Sequence, residues 1–119
     1  MYSVKVEAYF SAAHNLRHYR GKCESLHGHN WKVEAAVFKN KLDKAGIAMD
    51  FKELKEGLKK AIKNLDHSYL NNSTYFKKSN PTSENIARYI YDILKTRIKD
   101  IATVTVWESD NSCATYYGE

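Results

Sequence analysis

Apolar and polar residues alternate without a break from Tyr2 to Ala13. Tyr2, Val4, Val6, Ala8, Phe10 and Ala12 fall on one side, and Ser3, Lys5, Glu7, Tyr9 and Ser11 on the other. A period of two sends successive side chains to opposite faces, so this run predicts a half-buried strand over 2–13. The next stretch, His14 to Leu26, is polar and irregular and reads as a loop. Alternation resumes from Gly28 through Trp31, Val33, Ala35 and Val37, a second strand ending near Asn40 that can pair with the first as an antiparallel ribbon. A turn around Asp43–Gly46 follows. Phe51, Leu54, Leu58, Ile62 and Leu65 then recur at spacings of three and four, the mark of an amphipathic helix. Asp66 to Asn80 is rich in Asn, Ser and Tyr and reads as a loop. Pro81 before Thr82-Ser83-Glu84 is a helix-start signature, and Ile86, Ile90, Ile93, Leu94 and Ile98 carry that helix to about Asp100. Ile101–Glu108 and Cys113–Tyr117 read as two more strands around a Ser109-Asp110-Asn111 turn.

The order ββααββ predicts an α+β fold, a four-stranded antiparallel sheet with two helices on one face. At 119 residues the chain is expected to be a single domain, 1–119, with no repeat or linker. An open sheet has bare edges, and pairing them with another copy predicts a homo-oligomer.

Composition narrows the class. With 43% hydrophobic and 28% charged residues the chain reads as an ordinary globular protein. No apolar run approaches the roughly 18 residues of a membrane span. The N-terminus alternates at once and lacks the build of a signal peptide, so the expected address is the cytoplasm. There Cys23 and Cys113 are expected as free thiols. Cys113, in a strand with Ala114 and Tyr116, reads as core. The net charge of +5 favours an anionic partner. However, Lys52, Lys55, Lys59, Lys60 and Lys63 read as the wet face of one helix, without interleaved aromatics, which argues against nucleic acid.

The candidate chemistry begins at His27-Gly28-His29. In an extended segment both imidazoles point to one side and can reach one ion, and His14 at the end of the first strand can join them. Three histidines without a fourth protein ligand leave zinc an open position for water or substrate. His18, four residues after His14, is a rival third ligand, and strand histidines can also be merely solvated or hydrogen-bonded. Cys23 has three readings: a fourth ligand closing a structural site, a thiolate activated near the metal, or an inert thiol. Its polar surroundings disfavour the last. Asp66 beside His67 can fix an imidazole tautomer, or Asp66 can simply end the helix. Glu108 shares parity with Val104 and Val106, so its carboxylate faces the apolar side. There it needs a ligand's N–H groups or a cation, unless it already lies in water at the strand end.

Phe10-Ser11-Ala12-Ala13-His14, Cys23-x-x-x-His27-Gly28-His29, Leu65-Asp66-His67, Pro81-Thr82-Ser83-Glu84-Asn85 and Trp107-Glu108-Ser109-Asp110-Asn111 together resemble the 6-pyruvoyltetrahydropterin synthase family, and within it the 6-carboxytetrahydropterin synthases of queuosine biosynthesis. The resemblance runs to the closing Tyr117-Gly118-Glu119. It implies a tunnelling fold (T-fold), with trimers closing a barrel, pairs of trimers stacking as hexamers, and active sites between subunits. It implies Zn2+ held by His14, His27 and His29, a catalytic thiol at Cys23, and an acid/base pair at Asp66 and His67. Glu108 would anchor the pterin edge, with Thr82 and Ser83 in the pterin-contact segment. The implied reaction converts 7,8-dihydroneopterin triphosphate to 6-carboxytetrahydropterin, releasing acetaldehyde and triphosphate. Arg17, Arg20 and Lys22 are candidates to meet the triphosphate. Glu24, directly after Cys23, is a departure: a related subgroup uses a glutamate near this place to make 6-hydroxymethyl-dihydropterin for folate. The alternatives are therefore a 6-pyruvoyltetrahydropterin synthase, a dual enzyme with Glu24 catalytic, or, outside this class, a zinc-stabilised binding module.

Overall fold

The computed structural model describes residues 1–21 and 24–118. Its centre is the expected ribbon. Strands β1 (Tyr2–His14) and β2 (His27–Lys39) pair antiparallel in unbroken register from Tyr2↔Lys39 to His14↔His27. The even residues of β1 and the odd residues of β2 turn to the same face, which is why Val6, Phe10, Trp31, Val33 and Ala35 are buried together. Phe10 and Trp31 stack nearly parallel with ring centroids 5.8 Å apart. Burial of each such side chain contributes about 1.5–3 kcal/mol.

Helix α1 (Phe51–Ile62) starts where the Asp50 side chain accepts the Lys52 N–H, and it buries Leu54, Leu58 and Ile62 against β1. Helix α3 (Ser83–Lys95) presents Ile86, Ile90 and Leu94 to β4 (Ile101–Ser109) and β5 (Ser112–Tyr117). Strand β4 lies antiparallel to β2, and β5 antiparallel to β4. Both helices thus cover one face of the sheet, as the order of elements requires.

The segment expected as a loop is ordered. Strand β3 (Ser68–Tyr69) pairs parallel to Ala12 and Ala13, a 3-10 turn spans Leu70–Asn72, and helix α2 covers Thr74–Lys78. The sheet therefore has five strands, in the order β3-β1-β2-β4-β5, where four were expected. The segment is anchored by the burial of Leu70 and Phe76, two isolated apolar positions six residues apart that make neither a run of alternation nor a helical stripe. Three smaller corrections follow from local chemistry. Helix α3 stops at Lys95, where the N–H groups of Thr96 and Arg97 tighten onto the Ile93 and Leu94 carbonyls three residues back. Phe51, at the first helical position, is 64% exposed. Cys113 is exposed, because its parity in β5 is opposite to that of Ala114 and Tyr116.

Candidate active site

The register of the ribbon sets His14 beside His27 and Ala12 beside His29. Because His14 is even-numbered on β1 and His27 and His29 are odd-numbered on β2, all three rings point to the helix-covered face. Glu108, two residues beyond Val106 on β4, reaches the same place. One ligand atom from each of His14, His27, His29 and Glu108 lies within 4.8 Å of all the others. Trp31 forms the floor, edge-on to His14 and His29, and its indole N–H donates to the Ala12 carbonyl at 3.2 Å.

The hydrogen bonds of the rings set what this cluster can do. His14, fully buried, has Nδ1 2.7 Å from the Pro81 carbonyl, and His27 has Nδ1 2.7 Å from the Ser25 carbonyl. A carbonyl can only accept, so both Nδ1 atoms carry the proton and both Nε2 atoms are left with bare lone pairs. Those Nε2 atoms face each other at 2.9 Å. His29 Nε2 is buried without a hydrogen bond, although a Glu108 carboxylate oxygen stands 3.0 Å away. Converging lone pairs beside a carboxylate are a donor set for a cation. Bound at about 2.0 Å in a tetrahedral shell, neighbouring donors lie roughly 3.3 Å apart; here the His14 and His27 Nε2 atoms are 2.9 Å apart and the whole set lies within 4.8 Å. Burial pushes the His14 pKa below its ordinary value despite the Pro81 carbonyl and Glu108. Burial also lowers that of His29, against the pull of Glu108. Neutral imidazole, the ligand form, is thereby favoured.

His18, the rival ligand, stays outside this cluster; its backbone has a positive φ of 60° rather than a helical one. Cys23 and Lys22 lie outside the described residues. Glu24 is exposed, and its N–H donates to the Gly21 carbonyl at 3.1 Å. Arg17 has its guanidinium Nη2 bonded to the Phe76 and Ser79 carbonyls.

At the helix start, Thr82 caps α3 by accepting the Asn85 N–H at 3.1 Å. The Ser83 hydroxyl lies 3.4 Å from the second Glu108 oxygen and donates toward it. One carboxylate thus spans the histidine cluster and the mouth of α3. Asp66 and His67 sit elsewhere, at the edge of β1. Asp66 Oδ1 accepts the Ser11 N–H at 2.9 Å, Oδ2 lies 3.2 Å from His67 Nδ1, and the His67 N–H donates to the Ser11 carbonyl. The His67 ring is 83% exposed and borders a cleft of about 400 Å³ that is also lined by Ser11, Ala13, Gly28, Asn30 and His29. Ser11, Ala13 and Asn30 have the opposite parity to the clustered histidines. Among the described residues no hydrogen bond or ion pair joins this dyad to the cluster.

Sequence reasoning missed the Pro81 and Ser25 carbonyls and the Trp31 floor. Pro81 was visible only as a helix-start signal, and a backbone carbonyl carries no residue signature.

The sequence profile of 6-pyruvoyl tetrahydropterin synthase matches residues 3–119. A 6-carboxy-5,6,7,8-tetrahydropterin synthase of Synechocystis sp. is 38% identical, over 98% of this chain and 94% of its own. A 6-pyruvoyl tetrahydrobiopterin synthase of Dictyostelium discoideum is 36% identical, over 83% and 76%. The solved structure of Caenorhabditis elegans 6-pyruvoyl tetrahydropterin synthase superposes with a TM-score of 0.90 at 27% identity, covering 99% of this chain and 96% of that one. The fold, the matched length and the relatives agree: this chain belongs to the 6-pyruvoyl tetrahydropterin synthase family.

Proposed function

We propose that the chain is a zinc-dependent 6-carboxytetrahydropterin synthase, a cytoplasmic lyase of queuosine biosynthesis acting as a single-domain subunit of a trimer or hexamer. Its substrate is 7,8-dihydroneopterin triphosphate, which with one water yields 6-carboxytetrahydropterin, acetaldehyde and triphosphate. The observation that carries this reading is the pair of bare Nε2 atoms of His14 and His27, 2.9 Å apart beside His29 and Glu108.

His14, His27 and His29 hold the zinc. When bound, the ion supplies Lewis acidity that lowers the pKa of the substrate's side-chain hydroxyls. Glu108, steadied by Ser83, accepts the N–H groups of the pterin's amino-pyrimidinone edge, and the α3 mouth around Thr82 and Ser83 receives the ring. With Nδ1 turned to Asp66, His67 keeps Nε2 free to take or return a proton, and Asp66 stabilises the imidazolium. Cys23 Sγ as thiolate is the partner base at the carbons beside the ring. The exposure of His67 at a sheet edge supports a site completed by a neighbouring copy, whose dyad reaches this chain's histidines.

The test is product analysis by mass spectrometry with zinc-loaded protein and dihydroneopterin triphosphate. The expected products are 6-carboxytetrahydropterin and acetaldehyde. A pyruvoyl product without acetaldehyde would assign the other branch of the family, and 6-hydroxymethyl-dihydropterin lost in Glu24→Ala would assign the dual one. Zinc binding without turnover would leave a zinc-stabilised module.

A further inference from the structure

Two asparagine side chains act as substitute strand partners for the segment that follows His14. The Asn71 carboxamide accepts the Asn15 N–H at 3.0 Å and donates to the Asn15 carbonyl at 2.9 Å. The Asn80 carboxamide does the same for Arg17, accepting its N–H at 2.9 Å and donating to its carbonyl at 2.8 Å. Each amide thus satisfies both polar groups of one backbone residue, the pairing a neighbouring strand would give. Further bonds tie the same two segments. The Tyr69 hydroxyl donates to Asn15 Oδ1, and the Arg17 guanidinium donates to the Phe76 and Ser79 carbonyls.

These bonds converge on one histidine. His14 precedes Asn15 in the chain, and its Nδ1 donates to the carbonyl of Pro81, the residue after Asn80. The Asn80 carbonyl is itself fixed, accepting from the Thr82 N–H at 2.8 Å and from Asn85 Nδ2 at 2.9 Å. His14 is therefore held from both sides: through its own backbone, and through the carbonyl that sets its tautomer. We infer that Asn80 and Asn71 are positioning residues for His14 as a metal ligand, fastening the 15–17 segment to the stretch that carries Pro81. Partners that orient a ligating imidazole change metal affinity by about 10–100-fold when removed. The inference rests on the metal site proposed above and goes beyond it by naming what aims the buried ligand.

The experiment measures zinc affinity by chelator competition, and the visible spectrum of the cobalt-substituted protein, for the full chain and for Asn80→Ala, Asn71→Ala and the double variant. Thr105→Val is the stability control. It removes the Thr105–Thr115 hydroxyl contact of 2.7 Å on the other face of the sheet. The expected result is a 10–100-fold weaker zinc affinity in Asn80→Ala, a weaker effect of the same sign in Asn71→Ala, and an altered cobalt spectrum in both. Thr105→Val should keep the affinity and spectrum of the parent chain. Variants that lower the melting temperature yet bind zinc as tightly as the parent would overturn the inference and leave the metal site standing. A parent chain that binds no zinc would overturn both. Should Asn80→Ala not fold, Asn71→Ala decides by the same criterion.

Discussion

At His14 a buried side chain is satisfied on one nitrogen and bare on the other, and that asymmetry sets its behaviour. Replacing it by alanine should cost more zinc affinity than the 10–100-fold of a lost outer partner, by chelator competition. The metal-free protein has its own pH signature. Burial holds the folded-state pKa of His14 and His29 below the ordinary 6.5, so the unfolded chain takes up protons first as the pH falls. Wherever the unfolded state binds more protons, stability rises with pH. Chelator-treated protein should therefore lose stability as the pH drops through about 6.5, and level off once the folded histidines protonate. Urea midpoints between pH 7.5 and 5 check this. A flat profile for the metal-free chain would show that burial does not hold the rings neutral. His14, His27, His29 and Glu108 were all legible in the sequence, because strand parity fixes which residues share a face. Their supporting carbonyls were not.

Among the elements, β1 and β2 were legible because a period of two over long runs has no competing reading. The same parity that buries Phe10 and Trp31 aims the histidines, so fold and site share one signal. The 66–80 stretch was opaque for the opposite reason: its structure rests on Leu70, Phe76 and side-chain amides bonding to backbone, none of which is periodic. Helix α3 begins on a capping hydroxyl that also borders the site. Thr82→Ala should destabilise by about 1 kcal/mol, read in urea, whereas Thr82→Ser should largely restore it. At the far end of the sheet, Gly118 donates its N–H to the Ala102 carbonyl, and a Cβ there would fall 1.9 Å from the Tyr91 hydroxyl oxygen. Gly118→Ala should cost about 1–3 kcal/mol as Tyr91 is forced aside, seen as a lower urea midpoint.

For the whole molecule, the separation of the Asp66–His67 dyad from the histidine cluster matters most. A dyad on an exposed edge serves chemistry only if something brings substrate to it. Subunit mixing tests the proposed answer. His67→Ala and His29→Ala should each be inactive alone, and unfolding and refolding them together should restore activity through hybrid sites. Mixed protein as dead as its parents would place the whole site within one chain. The resemblance already implied active sites between subunits, whereas the order of the motifs along the chain does not say which of their residues meet in one subunit.

The junction at Asn80 and Pro81 also bears on how the protein ages. An asparagine ordinarily deamidates when the next residue's backbone nitrogen attacks its side-chain amide, and proline has no N–H with which to do so. The Asn80 amide that grips Arg17 is thus shielded by its neighbour as well as by its two hydrogen bonds. Asn71, followed by Asn72, has only its bonds to Asn15 for protection. On prolonged storage the loosening around His14 should therefore begin from the Asn71 side.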